Sequence, residues 1–214
     1  MSSVISFSDA LRERTAAVHS DTESSAFITE LLSGKRSKQD YIALVGQLYF
    51  VYAALEDVAD IVKSDAVAAA FISPQLTRLP ALEADLTFLV GDRWRDAVTP
   101  LPATVRYVDR IHRMASWPGG FVAHHYTRYL GDLSGGQVIR TLLQRQFGFE
   151  TNGVGFYIFA EIPKPKLFKD AYRAELDAVD WDNTERARVI EEANAAFRLN
   201  AGLFADLARA TVAA

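Results

Sequence analysis

The chain has 214 residues, half of them hydrophobic and 23% charged, which is enough for one globular domain with its own core, so a single domain over 1–214 is expected. A net charge of -4 gives no electrostatic pull toward nucleic acid or an anionic membrane, and neither is expected as a partner. With no cysteine, disulfides, cysteine zinc sites, iron–sulfur ligation and thiolate ligands are excluded, so any metal must be held by His or carboxylate.

The start, "MSSVISFSDALRER", lacks the charged-then-apolar pattern of a secretory leader, and the ending "LFADLARATVAA" falls far short of the roughly 20 apolar residues of a membrane span. A soluble, cytoplasmic chain without a membrane anchor is expected. Helical spacing predicts segments at 8–19 and 22–32. In "SKQDYIALVGQLYFVYAALEDVADIV", Ser37 and Asp40 form a capping pair ahead of Ile42, Val45, Tyr49 and Tyr52, which predicts one long, mostly buried helix. Gly46 and Gln47 interrupt its Tyr41–Leu55 part too much for a transmembrane reading. Further helices are predicted at 80–91, 102–115, 120–146, 166–178 and 183–210, separated by "ISPQ", "VTPLP" and "WPGG". "VGFYIFAEI" reads as an extended connection, and the fold class is an all-α, single-domain helical bundle.

The stretch "GDLSGGQ" places Gly131, Gly135 and Gly136 inside the segment 120–146, where helical glycine costs about 1 kcal/mol each relative to alanine. Something must approach that backbone: either a neighbouring helix packed on small residues or a flat ligand. "LSGGQ" also occurs as the signature loop of ABC-type ATPases, but the chain has no phosphate loop of the required spacing. Arg128 and Asp132 are an i, i+4 pair beside Ser134. On a helix carrying Val122, Tyr126, Tyr129, Leu130, Leu133, Val138 and Ile139, that pair is expected to organise water in an interior cavity rather than to be a surface ion pair.

Four histidines are available. His112, among charges, reads as surface, and His124 and His125 read as core residues. His19 stands at the edge of an apolar stripe with Leu11 and Thr15, and Glu23 four residues on can orient its ring, as metal-bound histidines usually require. Arg12 precedes it by seven residues, about 10 Å along a helix axis. Lys169 and Arg173 form a second cationic pair, whose alternative is a solvated helix face.

The segments "RERTAAVHSDTE", "QLYFVYAALE", "AHHYTRYLGDLSGGQ", "GFYIFAEI", "KLFKDAYR" and "AFRLNAGLFADL" resemble haem oxygenases, from about residue 8 to 207. The resemblance implies a haem, both substrate and cofactor, sandwiched between a proximal helix carrying the iron ligand His19 and a distal helix kinked at its glycines. It also implies oxidative opening of haem at the α-meso carbon to biliverdin, carbon monoxide and ferrous iron, using dioxygen and electrons from a separate reductase or ferredoxin. Catalytic roles are implied for Asp132, Arg128, Gly131, Gly135, Tyr52 and Asn200, which would hold a water network and leave room for a bent oxygen ligand. Haem-binding roles are implied for Arg12, His19, Glu23, Tyr126, Ser134, Gly136, Lys169, Arg173, Phe197 and Phe204, the two phenylalanines at positions of the distal core. Ala16 stands where some relatives carry a second propionate-binding lysine, so that contact is not expected. The physiological purpose implied is iron acquisition or haem turnover. A haem carrier without turnover and a purely structural bundle are the competing readings.

Overall fold

The computed structural model describes residues 5–210, and the regular elements among them are all helical. Helix α1 (Phe7–Glu23) opens at Ser6, whose hydroxyl accepts from the Asp9 amide. It runs past the predicted end at 19, so Thr22 and Glu23 close the first helix instead of opening the second, α2 (Ala26–Leu32).

Helix α3 (Lys38–Val62) begins with the predicted capping box: Ser37 Oγ accepts from the Asp40 amide, and Asp40 Oδ2 accepts from the Ser37 amide at 2.8 Å. Length and composition alone would let α3 cross a membrane, yet Tyr41, Leu48, Val51, Tyr52, Leu55 and Val58 are buried in the protein interior. Each such side chain contributes roughly 1.5–3 kcal/mol. The helix packs on α4 (Leu79–Val90) and α6 (Pro102–Arg113) and is the central core helix. The single turn α5 (Trp94–Ala97), too short to announce itself by periodicity, buries Trp94 edge-on against Tyr49, with ring centroids 4.8 Å apart.

The segment expected as one helix over 120–146 is broken. Helix α7 (Pro118–His125) passes into a π-helical turn at Tyr126–Leu130, and a tight turn over 133–135 precedes α8 (Gly136–Phe147). The Ser134 amide bonds back three residues to the Gly131 carbonyl, and the Ser134 hydroxyl takes the Leu130 carbonyl at 2.7 Å. A widened turn followed by a tightened one bends the backbone, a combination common where helices serve a site. Gly148, at φ 71°, ends α8 in the left-handed conformation that glycine adopts without steric cost.

The segment around "VGFYIFAEI" has no strand partner and makes one 3-10 turn at Gly155–Tyr157. It is held from α4, where the Asp85 carboxylate accepts from the amides of Gly153, Gly155 and Phe156 at 2.8–3.0 Å. Arg78 donates to the Phe156 and Ile158 carbonyls. Helix α9 (Pro165–Ala178) then packs on α1, and the long α10 (Asn183–Ala210) packs on α1, α6 and α7.

Candidate functional site

A cavity of about 400 Å³ opens between α1 and the bent segment after α7, with α10 and the Phe156–Tyr157 turn closing it. That volume lies in the range of small-molecule and cofactor sites. Its α1 wall carries Arg12, Thr15, Ala16, His19, Thr22 and Glu23. The hydroxyls of Thr15 and Thr22 donate to the Leu11 and Val18 carbonyls, so they are satisfied on their own helix. His19 is different, with its side chain 45% exposed and its Nε2 lying 3.3 Å from Glu23 Oε1. Its ring stands edge-on to Phe197 at 5.1 Å. Phe197 therefore belongs to the His19 side of the cavity and not, as expected, to the distal core. Phe204 also lines the cavity, stacked at 6.4 Å on Phe27.

Gly131 and Gly135 face α1 across the cavity. A β-carbon on Gly131 would meet nothing within 4 Å, and one on Gly135 would have the Gly131 carbonyl at 3.8 Å and Glu23 Oε1 at 3.9 Å as nearest neighbours. Apart from the Glu23 carboxylate, no atom of a neighbouring helix comes within 4 Å of these positions, so of the two explanations for these glycines the structure favours open backbone. Gly136 obeys the other explanation: its β-carbon would stand 3.1 Å from the Tyr157 ring, although the residue also lines the cavity.

Above the glycines lies a buried polar group. The Tyr52 hydroxyl donates to Asp132 Oδ2. Arg128 Nε donates to the Tyr52 oxygen at 3.2 Å, Arg128 Nη1 donates to Asn200 Oδ1 at 2.9 Å, and Nη2 lies 3.8 Å from Asp132 Oδ1. Burial raises the Asp132 carboxyl above the usual carboxylate range, and the Arg128 charge and the Tyr52 hydrogen bond offset this only in part. Burial opposes the Arg128 charge, but Tyr52 and Asp132 outweigh it and the guanidinium stays protonated. A carboxyl poised in this way can hold a proton and release it beside open backbone.

The remaining predicted residues divide. Tyr126, Ser134 and Arg173 line the cavity, with Arg173 Nη1 3.1 Å from Asp170 and Arg12 Nη2 2.9 Å from Asp9. Lys169 does not line it; its Nζ donates to Ser134 Oγ at 2.8 Å, tying α9 to the turn before α8. His124 and His125 are core residues, bonded at 2.8 Å to Glu192 and 2.9 Å to Tyr172, and His112 is exposed. Leu44, Leu48, Phe156 and Tyr157, none of them expected as site residues, supply apolar wall together with Ile139. Nothing in a sequence separates apolar residues that face a cavity from those that face a core. Among the described residues no group of three or more His, Asp or Glu could hold a bare metal ion. The lone His19 over an apolar floor suits a metal that brings its other ligands in a flat macrocycle.

A sequence profile described as Heme oxygenase matches residues 5–206. Heme oxygenase 1 of the cyanobacterium Synechocystis sp. is 39% identical over 204 residues, covering 95% of this chain and 85% of that protein. Human heme oxygenase 1 is 39% identical over 94% of this chain and 71% of its own length. Among solved structures, heme oxygenase-1 of Synechocystis in complex with heme superposes with a TM-score of 0.90 at 38% identity, covering 97% of this chain and 96% of that one. Heme oxygenase from Leptospira interrogans superposes with a TM-score of 0.89 at 35% identity, over 94% and 98%. The chain belongs to the haem oxygenase family. It is a haem-degrading oxidoreductase.

Proposed function

We propose that this chain, acting as one domain over 1–214, binds haem between His19 and the open backbone at Gly131 and Gly135, and opens it at the α-meso carbon to biliverdin, carbon monoxide and ferrous iron. The observation that carries the reading is the pairing of an accessible, carboxylate-oriented histidine on one cavity wall with side-chain-free backbone on the other. When bound, haem supplies the oxygen-binding iron and is itself the substrate that is opened.

The protein's own residues then have separate tasks. His19 would hold the haem iron, with Glu23 orienting its ring and Phe197 bracing it edge-on. Gly131 and Gly135 keep this wall of the cavity free of side chains, which would leave room there for haem and for dioxygen. Asp132, fixed by Tyr52, Arg128 and Asn200, holds and gives up a proton at its carboxyl through ordered water. Arg12 and Arg173 receive the two propionates and set which meso carbon is attacked, and Lys169 supports them by holding Ser134. Electrons come from a separate reductase or ferredoxin, the setting is the cytoplasm, and the purpose is iron acquisition or haem turnover.

Adding haem and a chemical or enzymatic reductant in air tests the proposal. Bleaching of the haem bands with a single biliverdin isomer and carbon monoxide is expected. A stable oxygenated spectrum would mark a carrier, and absence of a Soret band a structural bundle; either overturns it.

A further inference from the structure

Helix α9 brings Arg173 to the cavity although much of the helix faces solvent; its buried residues are Tyr172 and Leu176. Near its C-terminal end, Asp177 accepts from the amide and hydroxyl of Ser8 at 2.7 and 3.0 Å, which ties α9 to α1. Near its start, the solvent-exposed bond from Lys169 reaches Ser134 in the turn before α8. Between these two lies a buried tie: the Tyr172 hydroxyl and His125 Nδ1 are 2.9 Å apart.

His125 is the last residue of α7, directly before the π turn that carries Tyr126 and Arg128. Its ring sits among those of Phe121, Tyr129 and Tyr172, with centroids at 5.4, 4.3 and 5.7 Å, and Phe71 lies against Tyr172 at 4.9 Å. A phenylalanine would fill such an aromatic box without the desolvation that burial imposes on an imidazole, so it is the ring nitrogen that needs a use. Burial keeps His125 neutral and Tyr172 protonated, so the hydroxyl donates and Nδ1 accepts. Apolar packing such as that of Leu176 is non-directional and tolerates a small rotation of the helix, whereas a hydrogen bond has a direction. Arg173 follows Tyr172 by about 100° around α9, so any rotation of the helix carries its guanidinium along the cavity wall. On the other side of the tie, the Tyr126 hydroxyl lies in the field of both Arg173 and Arg12.

We infer that the His125–Tyr172 pair fixes the setting of α9 against the π turn, and thereby places Arg173 so that one meso carbon of haem is presented for opening. The inference rests on the haem oxygenase reading, in which Arg12 and Arg173 receive the propionates. His125 and Tyr172 are positioning residues here, since neither lines the cavity. A haem held by a single histidine can turn about that bond, so its seating is decided at the propionates, where a misplacement of about 1 Å is enough to matter.

Tyr172→Phe keeps the ring and removes the hydroxyl. In the haem-free chain its Tm should fall, because His125 Nδ1 is left buried without a partner. With ferric haem bound, the histidine-ligated Soret band should persist, while the proton spectrum of the haem methyls, read without turnover, should show a second seating. Turnover should then give about five-fold more of the minor biliverdin isomers, the factor that one net hydrogen bond contributes. Combining Tyr172→Phe with His125→Phe separates positioning from stability, and serves in its place should the single variant fail to fold. Removing both polar partners should bring Tm back toward that of the unsubstituted chain, with the second seating and the minor isomers still present. One seating and one isomer in both variants would overturn the inference, as would recovery of the single seating together with Tm in the double variant. Failure of the underlying reading shows separately, as no bilin from the unsubstituted chain.

Discussion

Gly131 exposes the tension between stability and function in this site. Its β-position is open and its backbone helical, so Gly131→Ala should stabilise the haem-free chain by up to about 1 kcal/mol. On the proposed reading the added methyl would intrude on the space haem needs, and turnover should fall. Gly136→Ala should instead destabilise, since its methyl meets the Tyr157 ring at 3.1 Å. Urea titrations of both variants, beside turnover assays, check the opposite signs. Asp132→Asn keeps the shape of the buried group and removes its proton-holding carboxyl, so haem binding should persist while biliverdin formation falls at least ten-fold. A normal biliverdin yield would remove Asp132 from the mechanism. These residues were legible in advance because three helical glycines beside a charge pair conflict with local propensity, and such conflicts concentrate at sites. The resemblance implies a distal-core position for Phe197, whereas its ring stands edge-on to His19; sequence spacing gives a helix face but not which neighbour that face meets.

At the scale of elements, the site is assembled by parts that never touch it. Asp85 holds three amides of the turn that presents Phe156 and Tyr157 to the cavity. Asp85→Ala should cost about 3 kcal/mol or more, as charge-assisted bonds are worth roughly 1.5–3 kcal/mol each. It should also weaken haem binding without altering any lining residue. Denaturation and haem titration of this variant measure both effects, and loss of stability with intact haem affinity would detach the turn from the site. Helix α9 plays a similar part through Lys169. Because its ammonium holds Ser134, Lys169→Glu combined with Arg173→Glu should loosen the turn before α8 as well as the propionate end, giving mixed biliverdin isomers by chromatography. A single unchanged isomer would leave these cations as a solvated face. The helices with strong apolar spacing were readable from the chain, as was the Ser37–Asp40 cap. The break of 120–146 into α7, a π turn and α8 was not, because a π turn depends on which carbonyls find partners and leaves the apolar period almost intact.

At the scale of the whole molecule, two histidines outside the cavity add a pH dependence of their own. Burial brings the His125 pKa from its ordinary 6.5 down to about 3. The unfolded chain therefore binds a proton below 6.5 that the folded chain refuses. Its contribution to stability is complete above 6.5 and falls as the pH drops toward 3, by at most about 1.4 kcal/mol per pH unit. Burial moves His124 the same way, outweighing Glu192. Burial pushes the Glu192 carboxyl up, but hydrogen bonds from His124 and Arg110 prevail and hold it down to about 2, so its contribution is lost between its ordinary 4.5 and 2. Urea unfolding should give a level free energy above about pH 6.5 and a decline below it. A decline between pH 6.5 and about 5 no steeper in the unsubstituted chain than in His125→Gln would contradict the burial argument for that histidine.

In the proposed arrangement His19 alone fixes haem, opposite the Gly131 backbone. Optical titration of haem into the unsubstituted chain and into His19→Ala, His124→Gln and His125→Gln measures this most directly. The expected result is a one-to-one, histidine-ligated Soret spectrum in the unsubstituted chain and both core variants, and its loss in His19→Ala with only weak residual binding. A native spectrum in His19→Ala, with loss in either core variant, would contradict the account.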